Sequence, residues 1–268
     1  MLTGEPMTPG EERIANAFAK APGRAALMPY LMGGFPDSAT SRRIALAYAD
    51  AGADLIELGM PFSDPIADGP VIQAAAGRAL AAGTGVEDVL EIARAVAARV
   101  PVVLMTYANL VLARGMERFA ADAAAAGASG LIVPDVPLEE APALGAACTA
   151  AGIALIPLVA PTTTDERLER IGGLARGFLY TVSVTGTTGE RAALSDAFGE
   201  IVARAKRATD APVALGFGIA TPEQASAAAD AGADGVIIGS RLVREAADAD
   251  DPVAAVEALV RSFAEALR

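Results

Sequence analysis

The chain has no histidine and no tryptophan. The first absence removes imidazole from catalysis and excludes metal sites built on it. Lysine is scarce: Lys20 lies in the N-terminal segment and Lys206 near the end of a helical pattern. Neither falls at the end of a strand, which argues against Schiff-base chemistry. The one cysteine, Cys148, sits in an alanine-rich helical pattern and cannot form an internal disulfide. That fits a reducing compartment, and a cytoplasmic location is expected. No apolar run approaches the ~18 residues of a membrane span. The N-terminal acids at 5, 11 and 12 do not resemble a secretory signal. No basic run exceeds two residues and the net charge is -12, so neither nucleic acid nor membrane is an expected partner. An acidic chain still binds phosphate through backbone N–H groups and helix N-termini.

What is present is a core of small aliphatics: hydrophobic content is 53% and aromatics only 4%. A short echo recurs at Ala51-Gly52-Ala53-Asp54, Ala126-Gly127-Ala128, Ala151-Gly152 and Ala231-Gly232-Ala233-Asp234. Each copy reads as a helix end, a glycine cap and a short apolar strand. Repeated helix-glycine-strand units imply a parallel sheet. Strands are expected at 26–32, 54–59, 101–106, 129–134, 153–159, 177–182, 212–216 and 234–238. Helical patterns occupy 38–51, 87–99, 114–126, 139–151, 164–173, 193–207, 221–231 and 251–267. The gap after the second strand leaves room for an extra helix around 70–82. This is the order of a (β/α)8 TIM barrel, expected here as one domain over 1–268. The rival is a doubly wound open sheet, weakened because no Gly-x-Gly-x-x-Gly follows the first strand.

In such a barrel, function sits on the loops after the strands. Glu57 lies between Ile56 and Leu58 in an apolar strand, and Asp68 follows in a loop stiffened by Pro61, Pro65 and Pro70. A buried carboxylate is expensive without a partner or a task, and two in one loop-capped pocket are an apparatus for acid–base chemistry. Asp68 also reads as a helix cap, and Asp64 and Asp135 as turn residues. Tyr30, Tyr107 and Tyr180 fall at predicted strand ends and read as pocket lining or as core. Gly218 and Gly239 stand after the last two strands, where barrels often bind phosphate. Ser240 reads as the cap of a short helix over 240–246.

Together these residues resemble the tryptophan synthase alpha chain family over roughly residues 12–266. The specific stretch runs Glu57-Leu-Gly-Met-Pro-Phe-Ser-Asp-Pro-Ile-Ala-Asp-Gly-Pro70. It is joined by Met28-Pro29-Tyr30, Met105-Thr-Tyr-Ala-Asn109, Pro134-Asp-Val-Pro137, Gly216-Phe-Gly-Ile219 and Gly239-Ser240. The resemblance implies retro-aldol cleavage of indole-3-glycerol phosphate to indole and glyceraldehyde 3-phosphate. It implies that Glu57 is the general acid/base and that Asp68 accepts the indole N–H. It places Tyr107 and Tyr180 near the substrate, and Tyr30, Ile72, Met105 and Phe217 around the indole. Gly189, Gly218, Gly239 and Ser240 match the phosphate-binding backbone. The implied partner is a beta chain in an alpha2-beta2 tetramer, met through Pro61, Asp64, Asn109 and Pro137. Pyridoxal phosphate belongs to that partner; no cofactor and no metal are expected here.

Residues 1–11 look like a variable extension. The sixth loop departs from a common family form at Val184 and Thr187, while Thr188 and Gly189 are retained. Rival functions are a stand-alone indole-releasing lyase, a catalytically weak phosphate-binding barrel that regulates a partner, and another phosphosugar isomerase or aldolase. The last would want more polar walls than Tyr30, Ile72, Met105 and Phe217 supply.

Overall fold

The computed structural model describes residues 6–21, 23–182, 191–216 and 218–268, the first seven of the third stretch as backbone only. Its strands are β1 (Ala26–Met32), β2 (Ile56–Gly59), β3 (Val102–Met105), β4 (Ala128–Ile132), β5 (Ala154–Leu155), β6 (Leu158–Val159), β7 (Leu179–Val182), β8 (Val213–Gly216) and β9 (Gly235–Ile238). They form one parallel sheet in the order β5-β4-β3-β2-β1-β9-β8-β7-β6. The two ends of that order, β5 and β6, are consecutive in the chain. They are one predicted strand interrupted at Ile156-Pro157, where proline has no N–H for the ladder. The Ile156 N–H bonds Leu131 O on β4 (2.9 Å), and the Pro157 carbonyl accepts from Tyr180 N on β7 (3.0 Å). The broken strand thereby closes an eight-stranded barrel.

The helices are α1 (Pro9–Ala19), α2 (Ser38–Asp50), α3 (Pro70–Ala81), α4 (Val86–Val96), α5 (Ala108–Arg114), α6 (Met116–Ala125), α7 (Ala141–Ala151), α8 (Asp165–Gly172), α9 (Arg191–Ala208), α10 (Pro222–Asp230), α11 (Ser240–Asp248) and α12 (Pro252–Ala266). The extra helix expected after the second strand is α3. Among the described residues no helix is long and apolar enough to cross a membrane.

The sequence echo has a physical basis. Its glycines 52, 127, 152 and 232 all take positive φ, which reverses the chain from helix to strand. In the two copies that end in aspartate, the carboxylate accepts an N–H near the start of a neighbouring strand. Asp54 takes Leu27 N (2.8 Å) and Asp234 takes Val213 N (2.8 Å). Arg24 and Lys206 pair with these same carboxylates.

Two helices were not foreseen. α1 begins at Pro9, inside the stretch expected to be an extension, behind a Thr8–Glu11 capping box. It covers the end of the barrel opposite the βα loops. Its Gly10 N–H bonds Gly152 O (2.9 Å) and its fully buried Ile14 packs on Gly130 and Gly177. Arg13 donates to the carbonyls of Gly127 (2.9 Å) and Ala97. α5 follows β3 directly and is separated from α6 by Gly115 at φ 88. The pattern read as one helix over 114–126 therefore begins after that break.

Candidate active site

Glu57 is the second residue of β2, in register with Tyr30 of β1 and Val103 of β3. Both faces of a barrel strand are covered, so an acid there is buried whichever way it points. Glu57 is 2% exposed, and its Oε2 has no hydrogen-bond partner. Burial, and next the charge of Asp68, push its carboxyl up to about 8.

β2 leads into the loop at 60–69, which is folded on itself and on β3. Ile66 N bonds Asp64 O (2.9 Å), and Asp68 N bonds Pro65 O (3.1 Å). The Phe62 ring stacks on Tyr107 with centroids 5.1 Å apart. The Tyr107 hydroxyl accepts the Ala67 N–H (3.1 Å) and lies beside the Asp68 carboxylate. Burial raises the Asp68 carboxyl to about 6, with the Tyr107 hydroxyl acting in the opposite direction. Asp68 is not the cap of α3. Gly69 holds that position without a side-chain bond, and Pro70 begins the helix. The Asp68 side chain is thereby left to the pocket, while Gln73 Nε2 bonds its backbone carbonyl (2.8 Å).

Tyr30, Tyr107 and Tyr180 are all buried. A Cβ on Gly59 would overlap the Tyr30 hydroxyl, and one on Gly216 would overlap that of Tyr180. Each phenol thus reaches over the glycine that ends the adjacent strand. Burial suppresses the acidity of both, reinforced for Tyr30 by Asp68 and Glu57 and for Tyr180 by Glu57. Glu57, Asp68, Tyr30 and Tyr180 thus lie close enough to act on one another's charge, and Tyr107 lies beside Asp68. Ile72 in the first turn of α3 and Met105 at the end of β3 are buried and supply apolar wall. Asp135 is occupied otherwise: its carboxylate accepts Ala108 N (2.9 Å) at the start of α5.

At the far side of the mouth, Gly239 is the N-cap of α11 and no side chain caps the helix. Ser240, expected as the cap, is the first helical residue instead, and the helix runs to Asp248. The helix N–H groups are open to an anion. Gly218, at φ 82, stands in the neighbouring loop. Gly189, Phe217 and the sixth loop with Val184, Thr187 and Thr188 lie outside the described residues. Among the described residues no group of acids and cysteine is arranged to hold a metal.

On the outer rim Asp64, Asn109 and Pro137 are exposed, whereas Pro61 is buried. Ile66 at 81% and Leu112 at 56% are the large exposed apolar side chains of this rim, and sequence reasoning passed over both. The available signal was a lone isoleucine in a loop of prolines and acids. The Tyr107–Ala67 bond had no comparable signal.

The tryptophan synthase alpha chain family model matches residues 17–268. A tryptophan synthase alpha chain of Prochlorococcus marinus (strain MIT 9313) is 51% identical over 249 residues, covering 91% of this chain and 90% of the relative. One from Methanosarcina acetivorans is 46% identical over 256 residues, covering 95% and 93%. Among solved structures, Mycobacterium tuberculosis tryptophan synthase superposes with TM-score 0.88 at 39% identity, over 98% of this chain and 99% of that one. The tryptophan synthase alpha subunit of Legionella pneumophila gives 0.86 at 36% identity, over 98% and 99%. Agreement in sequence and in backbone over nearly the whole length shows that the chain belongs to the tryptophan synthase alpha chain family.

Proposed function

We propose that this chain cleaves indole-3-glycerol phosphate to indole and glyceraldehyde 3-phosphate. The observation that carries the reading is the pairing of a buried Glu57, its Oε2 unpartnered and its carboxyl pushed up to about 8, with a less buried Asp68 raised only to about 6. Around neutral pH the first holds a proton and the second is ionised. Glu57 delivers its proton to indole C3. The ring nitrogen becomes cationic, and its N–H is held by the Asp68 carboxylate. The bond from C3 to the glycerol carbon then breaks. Its electron pair restores the indole, and the carbinol becomes the aldehyde. Its hydroxyl proton returns to Glu57, so the cycle consumes no net proton. General acid–base assistance of this kind supplies ~10²–10⁴ in rate.

The apolar walls at Ile72 and Met105 suit the indole, and the open N-terminus of α11 suits the phosphate. Phe217 and Gly189 complete these two subsites by resemblance. This chain uses no cofactor of its own in the proposed step. Pyridoxal phosphate belongs to the beta chain, which condenses the released indole with serine in an alpha2-beta2 assembly. The exposed rim with Asp64, Ile66, Asn109, Leu112 and Pro137 is the surface offered to it.

The test is indole release by the purified chain, alone and with a beta chain. Slow release that rises sharply with the partner supports the reading. Fast release indifferent to the partner makes it a stand-alone lyase. No release in either condition overturns the indole assignment.

A further inference from the structure

We propose that Tyr30 is a positioning residue for the acid pair, its hydroxyl donating to Glu57 whenever that carboxyl has given up its proton. The inference rests on the acid–base reading above. Tyr30 and Glu57 are register partners on adjacent strands, and both are buried. The absence of a side chain at Gly59 admits the Tyr30 hydroxyl over the end of β2. From there the chain turns into the loop that returns Asp68. The phenol therefore reaches from β1 toward both acids.

The other groups near Glu57 are Asp68 from the loop and Tyr180 on β7, while Tyr107 beyond β3 faces Asp68. Asp68 repels a second negative charge. The Tyr107 hydroxyl is engaged with Ala67 N and Asp68. Tyr180 reaches in from the opposite arc of the barrel, over Gly216. Among the described residues the Tyr30 hydroxyl makes no hydrogen bond, and Glu57 Oε2 has no partner. When Glu57 gives up its proton, a buried carboxylate needs a donor. The adjacent phenol is that donor. Burial and the two carboxylates hold its acidity well down, so it stays an O–H throughout the working range. Tyr48 meanwhile bonds the Tyr30 backbone carbonyl (3.3 Å), so the strand is anchored independently of the hydroxyl.

The deciding experiment follows the side-chain carboxyl ¹³C shifts of Glu57 and Asp68 against pH in the unliganded chain, wild type and Tyr30→Phe. Loss of one donor to a charged group should raise the midpoints of the pair by about one pH unit. Both limbs of the pH–rate profile should move the same way, with KM little changed. Gly59→Ala, which displaces the hydroxyl but keeps the phenol, should shift the midpoints in the same direction. Unchanged midpoints in both variants overturn the proposal, because a merely structural role lowers activity without moving them. The titration needs no substrate. Failure of wild type and variant alike to release indole would strike the acid–base reading and leave the shift to decide Tyr30.

Discussion

The Tyr107 hydroxyl, just beyond β3, lies beside the Asp68 carboxylate in the loop after β2 and pulls its carboxyl down against the rise that burial causes. The same hydroxyl accepts the Ala67 N–H (3.1 Å), and the same ring stacks on Phe62. One tyrosine thus sets both the position of the loop and the charge of its acid. Tyr107→Phe should therefore raise the Asp68 carboxyl above about 6 and leave Glu57 close to about 8. Cleavage should fall more at pH 6.5 than at pH 8. A uniform loss across pH would show that Tyr107 only packs.

The pH dependence of kcat/KM should be a bell. Asp68 must be ionised, which fails below about 6, and Glu57 must be protonated, which fails above about 8. Asp68→Asn should remove the acidic limb along with most of the rate. An unchanged acidic limb in that variant would assign it to another group.

Glu57→Gln should reduce indole release by at least ~10²-fold while leaving the fold intact. It should also change stability with a definite sign. The folded carboxyl titrates near 8 against an ordinary 4.5. Between those values the native state holds a proton that the unfolded chain has lost, so wild-type stability falls as pH rises through that window. The glutamine variant lacks this slope, and its Tm should gain on wild type from pH 5 to pH 8. Parallel Tm curves would mean that Glu57 is not held neutral.

Ile14→Ala tests the floor of the barrel. The side chain is fully buried against Gly130 and Gly177, at the end away from the acid pair. The expected cost is about 2–5 kcal/mol, read as a lower urea midpoint. kcat at 25 °C should be close to wild type. A large loss of kcat in folded protein would mean that the floor is coupled to the mouth.

Ile66→Asp tests the rim. Ile66 is 81% exposed, so the isolated chain should fold and melt as wild type does. Titration with a beta chain should show affinity reduced by roughly tenfold or more, as expected for a buried apolar anchor. Equal affinity would place the partner elsewhere.

The eight-fold alternation was legible because each unit carries its own signals within a few residues. In four units a glycine at positive φ, at 52, 127, 152 and 232, joins helix to strand, and two of them add the aspartate of Ala-Gly-Ala-Asp. The missing histidines and the placement of the two lysines narrowed the chemistry in the same way. Glu57 stood out because an acid inside an apolar strand contradicts its surroundings. α1 carries a local start signal in its Thr8–Glu11 capping box, but its docking is tertiary: Gly10 and Ile14 fit strand ends more than a hundred residues away.

Sequence alone determined the barrel and the family, and it singled out the two acids. These follow from periodicity, caps and a motif contained in one short stretch. Tertiary structure decided the rest. It broke the fifth strand at Pro157 and gave the cap of α3 to Gly69 rather than Asp68. It also brought Tyr107 to Ala67 across 40 residues of chain. The physical reason is that helix and strand preferences are local. Protonation, by contrast, depends on burial and on which dipoles stand nearby, and only the closed barrel sets those.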